Sequence, residues 1–174
     1  MPPLQATAMA LPFQADAFDA SLAILTVHHW PDKARGLREL RRVSRDRVVI
    51  LSWDPTYAGC FWLTEYIPQI ADEVRRIFPM LHEYEPELGP VEVIDVRIPH
   101  DCIDGFMGAY WRRPEAYLNQ RVRAAISTFA KIGDVTLGLT RLDRDLKSGE
   151  WNRRDGDILT GAEMSLGYRL IIAK

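Results

Sequence analysis

His28 and His29 stand side by side ahead of Trp30, and His100 opens a second polar run, His100-Asp101-Cys102, with Asp104 close behind. Histidine changes charge near neutral pH and ligates metals, and a Cys/His pair can supply a nucleophile and its base. The spacing argues against a metal at the first site. Adjacent residues leaving a strand point in opposite directions, and no H-x-x-x-H or carboxylate spacing supplies further ligands. No metal site is therefore expected. One of the two histidines reads as packing beside Trp30 while the other faces a pocket rim. At the second site no third group orients a Cys/His pair, so His100 and Asp101 stand either as pocket residues or as loop and cap residues. A hydrolase reading is weaker, because no G-x-S-x-G elbow occurs. No residue is assigned a catalytic role.

The elements that must carry these groups follow from periodicity. Ala20 to Val27 (ASLAILTV) is a short continuous apolar run, as in a strand covered on both faces of a parallel sheet. Lys33 to Ser44 changes period: Ala34, Leu37, Leu40 and Val43 recur every third residue between arginines, which predicts an amphipathic helix with Asp32 at its start. Arg47 to Trp53 (RVVILSW) is a second β-branched strand, so the three form a βαβ unit with a right-handed crossover. Beyond Asp54-Pro55, Leu63, Ile67, Ile70, Val74 and Ile77 form a helical stripe that Pro68 kinks or divides and Pro79 ends. Val91 to Pro99 predicts a less buried strand. Two helices are expected next, one carrying Leu118, Val122, Ala125 and Phe129, the other Val135, Leu139, Leu142 and Leu146 before a Ser148-Gly149 stop. Tyr168 to Ala173 closes the chain as a strand. The reading is one α/β domain over 1–174: a βαβ portion at 1–55, a mostly helical portion with one strand at 56–167, and a terminal strand at 168–174.

Composition narrows the function classes. Hydrophobic residues make up 47% of the 174 residues, enough for a core, and 22 basic against 24 acidic residues give a formal charge of -2. No global field draws in nucleic acid or an anionic membrane. The arginine and aromatic mixture in AYWRRPEAYLNQRVR reads as a packed helix with a solvated basic face rather than a nucleic-acid surface. Cys60 and Cys102 lie far apart, which suits a reducing cytoplasm. MPPLQATAMA lacks the basic and apolar regions of a signal peptide, and no segment reaches the roughly 18 apolar residues of a membrane span, so a soluble chain is expected.

Three quoted patterns then carry a resemblance: A-x-x-LPF-x-x-x-x-FD over Ala8 to Asp19, HHW-x-D over His28 to Asp32, and E-L-x-R-V over Glu39 to Val43. The stretch 5–55 resembles the second half of a class I S-adenosylmethionine-dependent methyltransferase of the small-molecule type. The resemblance is looser through the helical portion and returns at the last strand. It implies a truncated Rossmann-like sheet of about four strands, the last antiparallel, and S-adenosylmethionine as cofactor. It implies donor contacts at Thr7 and Ala8, beside the adenine, and at Leu25, Thr26 and Val27, beside the methionine part. His28, His29, His100 and Asp101 would face a small-molecule acceptor. The family's Gly-x-Gly-x-Gly turn and ribose-binding acid are missing, and Met1-Pro2-Pro3-Leu4 falls just before where the third strand should end. Donor binding by this chain alone is thus expected to be weak or absent. Without the first strand, the strand at Ala20 to Val27 becomes an apolar edge, for which a homodimer or higher oligomer is expected. The alternative reading is a non-catalytic module serving association.

Overall fold

The computed structural model describes residues 3–174; the expectation for the chain start falls partly on Met1 and Pro2, outside them. The chain folds as two compact units. The first comprises the chain through Pro55, Ile77–Asp95 and Gly167–Lys174, and the second Thr56–Arg76 and Val96–Leu166.

The first unit is built on the βαβ expected from periodicity. β1 spans Phe18–Ile24, α1 spans Lys33–Val43 and β2 spans Ser44–Trp53. Asp32 caps α1, its carboxylate accepting from the Arg35 N–H at 2.9 Å, which satisfies one of the donors a helix start leaves open. Leu37, Leu40 and Val43 are buried, as their spacing requires. At Ser44 the backbone turns extended, and its hydroxyl donates to the Leu40 carbonyl at 2.7 Å, so helix passes directly into strand. β1 and β2 pair in parallel, with Ala23 opposite Ile50 and Leu22 opposite Val49.

β4, Glu163–Ala173, lies antiparallel on β2, placing Ile171 opposite Ile50 and Ile172 opposite Val49. β3, Val91–Pro99, completes a four-stranded sheet in the order β1-β2-β4-β3. This is the α/β sheet with an antiparallel last strand that the resemblance implies. One face of it is core: Ala23, Ile50 and Ile171 pack with Leu37 and Leu40 of α1, with Tyr84, and with Leu88 of α4 (Glu85–Leu88).

The other face corrects an expectation. ASLAILTV reads as buried on both sides, yet Leu22 is 62% and Ile24 56% exposed, and the strand stops at Ile24 rather than Val27. A continuous apolar run shows that both faces can be buried, whereas burial needs a layer on each. Among the described residues β1 is an outer strand whose second face is open.

In the second unit, Pro68 divides the apolar stripe into α2 (Leu63–Tyr66) and α3 (Gln69–Ile77), since proline offers no N–H and crowds the preceding turn. The helix expected through Leu118 and Phe129 is not one helix. It is a 3-10 turn at Pro114–Leu118, a short α5 at Gln120–Ala124 and a second 3-10 turn at Ser127–Ala130. Ring burial overrides the 3.6 period there: Trp111 and Tyr117 are inside, and the Trp62 indole donates to the Trp111 carbonyl at 2.8 Å. α6, Thr136–Ser148, ends at Gly149, whose φ of 78° is the left-handed cap that favours glycine, and α7, Glu150–Asp155, follows. Among the described residues no helix is long and apolar enough to cross a membrane.

Candidate functional site

Parallel strands bring their carboxyl ends to one edge, where open α/β sheets place ligands. At the end of β1 the Leu25 N–H donates to the Leu51 carbonyl at 2.9 Å, the last bond of the ladder. Leu25 itself sits at φ 46°, in the left-handed region that a branched side chain enters only at a cost of about 1–3 kcal/mol. That kink ends the strand. Val27–His29 then form a single 3-10 turn, closed by His29 N–H to the Thr26 carbonyl at 2.9 Å and Trp30 N–H to the Val27 carbonyl at 3.1 Å.

The turn overturns the geometry expected of the two histidines. In a strand they would diverge; in this turn their ring centroids lie 3.9 Å apart. His28 is half-buried and His29 exposed. His28 also lies 4.1 Å from Phe78, centroid to centroid, at an interplanar angle of 33°. Phe78 meets Trp53, at the end of β2, edge-on at 5.9 Å, and Trp53 stacks on Tyr168 of β4 at 5.9 Å. Five rings therefore run in a row along the carboxyl edge of β1 and β2. Among the described residues no group of three or more His, Cys, Asp or Glu side chains is placed to hold a metal ion.

Charge is arranged behind this row. Arg169, buried on β4, pairs with Asp95 and stands 4.0 Å from the carboxylate of Asp54, the residue that follows Trp53. The Asp54 N–H donates to the Gly167 carbonyl at 2.8 Å, which fixes the chain as it leaves β2. On β2, beside Trp53, Ser52 Oγ accepts from the buried Tyr84 hydroxyl at 2.9 Å. Desolvation pushes the Tyr84 phenol up to about 12, against which the Ser52 bond works only in part.

The remaining expected residues are placed as follows. Thr7 is exposed and Ala8 half-buried in a small loop closed by the Ala10 N–H on the Thr7 carbonyl at 3.1 Å. The segment after it is clamped to α1. Arg42 donates to the Leu11 and Phe13 carbonyls and to both oxygens of Glu39, and Glu39 accepts from the Leu11 N–H at 2.8 Å. Those bonds hold the Glu39 carboxyl down to about 2, the Arg42 hydrogen bond contributing most. Leu25, Thr26 and Val27 lie together at the strand end; Val27 is buried, so only its backbone could meet a ligand. His100 and Asp101 belong to the second unit. The His100 N–H donates to the Ala162 carbonyl at 3.0 Å just beyond β3, and Asp101 is exposed.

Only one side of a sulfonium donor is matched by these residues. Aromatic faces and an apolar strand end suit a cationic sulfur with its carbon substituents. The Thr26 and Val27 carbonyls already accept within the 3-10 turn, and Thr7 offers a neutral hydroxyl at the adenine position. No Gly-x-Gly-x-Gly occurs in the 174 residues. Sequence reasoning missed Trp53, Phe78 and Tyr168. Trp53-Asp54-Pro55, closing an apolar strand, was the available signal for the first; Phe78 and Tyr168 carry none, because only the sheet order brings Tyr168 to Trp53 and only the packing of the chain after α3 brings Phe78 there.

The sequence model of a methyltransferase domain matches residues 2–51. A rice protein, 2-methyl-6-phytyl-1,4-hydroquinone methyltransferase 2, chloroplastic (Oryza sativa subsp. japonica), is 31% identical over 81 residues. The match spans 47% of this chain and 22% of that relative's length. A crystal structure from Anabaena variabilis ATCC 29413, of a protein assigned as a methyltransferase of an antibiotic biosynthesis pathway, superposes with a TM-score of 0.88 at 35% identity. It covers 98% of this chain, which spans 72% of that one.

Proposed function

This chain belongs to the class I S-adenosylmethionine-dependent methyltransferase-like family, and from that premise we propose that the carboxyl edge of β1 and β2 is one wall of a methyl-transfer site for a small molecule. The observation that carries the reading is the ring row from His29 to Tyr168, set where β1 ends in the kink at Leu25. S-adenosylmethionine, when bound, supplies an electrophilic methyl group. Leu25, Thr26 and Val27 are the residues that would hold its methionine part, with Thr7 and Ala8 toward the base. The half-buried faces of His28 and Phe78 hold a flat acceptor and keep water from it, and His29 stands at the rim. The rice relative is named for a hydroquinone, which makes a phenolic ring the first acceptor class to assay.

Donor affinity in the isolated chain is weak on this reading, because backbone N–H groups of a glycine turn have no counterpart in its sequence. Amide NMR titration with S-adenosylmethionine tests it. Saturable shifts at Leu25–Val27 and at Thr7 and Ala8, with a Kd on the order of 1 mM, are expected. A micromolar Kd refutes the weak-donor element, and no response at these amides at about 10 mM refutes the donor role of this edge.

A second reading, an association module without catalysis, is favoured by a different observation, the exposure of Leu22 and Ile24 on an outer strand. We propose that a second copy covers this face. Sedimentation then gives a dimer that Leu22→Lys converts to monomer; a wild-type monomer at about 100 µM, some hundredfold above a micromolar Kd, refutes it.

A further inference from the structure

The second unit holds a cleft of about 340 Å³ between the α2–α3 corner and the start of α6. That volume is at the small end of ligand pockets, room for on the order of a dozen non-hydrogen atoms. Its base is unusually close-packed. A Cβ at Gly138 would lie 2.3 Å from the Tyr66 carbonyl oxygen, so α6 rests on α2 backbone to backbone and position 138 leaves space rather than filling it. One wall is apolar, made by Pro68, Val135 and Leu137, and Leu137 is 87% exposed at the mouth.

Two side chains of opposite charge also line the cleft. Arg141 lies over the Tyr66 ring, Cζ 4.8 Å from the centroid, and donates Nη2 to the Glu65 carbonyl at 3.2 Å. Among the described residues no carboxylate forms an ion pair with it. Asp134 uses Oδ1 for both the Thr136 N–H at 2.9 Å and the Thr136 hydroxyl at 2.6 Å, bonds that hold its carboxyl below the usual range. Among the described residues its second oxygen accepts no bond. Glu65, the other carboxylate on the cleft, is already committed to Arg154 at 3.5 Å.

A positioned cation and a positioned anion, each with an unused bonding direction beside an apolar wall, complement a zwitterion with an apolar body. Neither a simple anion nor a simple cation uses both. We propose that this cleft binds a free α-amino acid with a large apolar side chain: its carboxylate on Arg141, its ammonium on Asp134, and its side chain against Val135 and Leu137. The site stands on the second unit alone and is independent of the methyl-transfer reading.

Amide NMR titration of the whole chain with L-phenylalanine, 3-phenylpropanoate and phenethylamine tests it. Saturable shifts over residues 135–141 are expected for phenylalanine, with each singly charged analogue weaker by at least about tenfold. Arg141→Met should abolish phenylalanine binding; Asp134→Asn should weaken phenylalanine and phenethylamine but leave phenylpropanoate unchanged. Leu137→Ala, at a solvent-exposed position, should weaken all three without touching the fold, which guards against misreading a folding defect. The proposal is overturned by the absence of saturable shifts at about 20 mM phenylalanine, by phenylpropanoate or phenethylamine matching it, or by Arg141→Met binding as wild type.

Discussion

Gly36→Ala is a small substitution whose sign is decided by one ring. Gly36 is inside α1, where alanine is intrinsically better by about 0.8–1.0 kcal/mol. In this fold the added Cβ would stand 2.3 Å from Cε3 and 2.7 Å from Cζ3 of Trp30. Carbon atoms in contact sit about 3.5–4.0 Å apart, so the indole must retreat by more than about 1 Å. Overpacking of that kind costs about 1–3 kcal/mol, which exceeds the helical gain, and a net loss of about 1 kcal/mol is expected. Trp30 closes the 3-10 turn that carries His28 and His29, so the same displacement shifts the ring row. Urea unfolding of the single and double variants isolates the effect. In a Trp30→Ala background the obstacle is gone, and Gly36→Ala should stabilise by about 0.8–1.0 kcal/mol, giving a coupling of about 2 kcal/mol. If Gly36→Ala stabilises the wild type, or acts with the same sign in both backgrounds, the steric reasoning is wrong.

Two further predictions use the titrating groups. Tyr84 has its phenol raised from 10 to about 12, so its contribution is intact below pH 10 and lost as pH rises to about 12. Unfolding free energy should fall by roughly 2–3 kcal/mol over that window, and Tyr84→Phe should flatten the fall while costing about 1–2 kcal/mol at neutral pH through the unpartnered Ser52 hydroxyl. Glu39, held down to about 2, keeps its bonds above pH 4.5 and releases them as pH falls through about 2. Hydrogen exchange at the Leu11 amide should therefore stay slow at pH 3–4, and Glu39→Ala should speed it at least about tenfold while the Val48 and Ile50 amides are unchanged.

Local structure was legible wherever neighbours in sequence determine it. The period of Leu37, Leu40 and Val43 reads directly as the buried side of α1, Asp32 as the acid at its start, Pro68 as a break and Gly149 as a stop, because helix periodicity, the helix dipole and backbone sterics act over a few residues. The three motifs between Ala8 and Val43 likewise fall within one βαβ unit, which the structure forms as β1, α1 and β2. The site's composition was not legible. His28 meets Phe78, and Phe78 meets Trp53, across separations that only the packing of the residue after α3 against the ends of β1 and β2 closes, and the pairing of Arg169 with Asp95 depends on β4 lying next to β3. Burial was equally a tertiary matter. ASLAILTV and the stretch through Leu118 and Phe129 are apolar enough for a two-faced strand and a continuous helix, yet a side chain is buried only where another element arrives. Among the described residues Leu22 and Ile24 meet none on their face of the sheet, and the indoles of Trp62 and Trp111 take the interior that a regular helix would have needed.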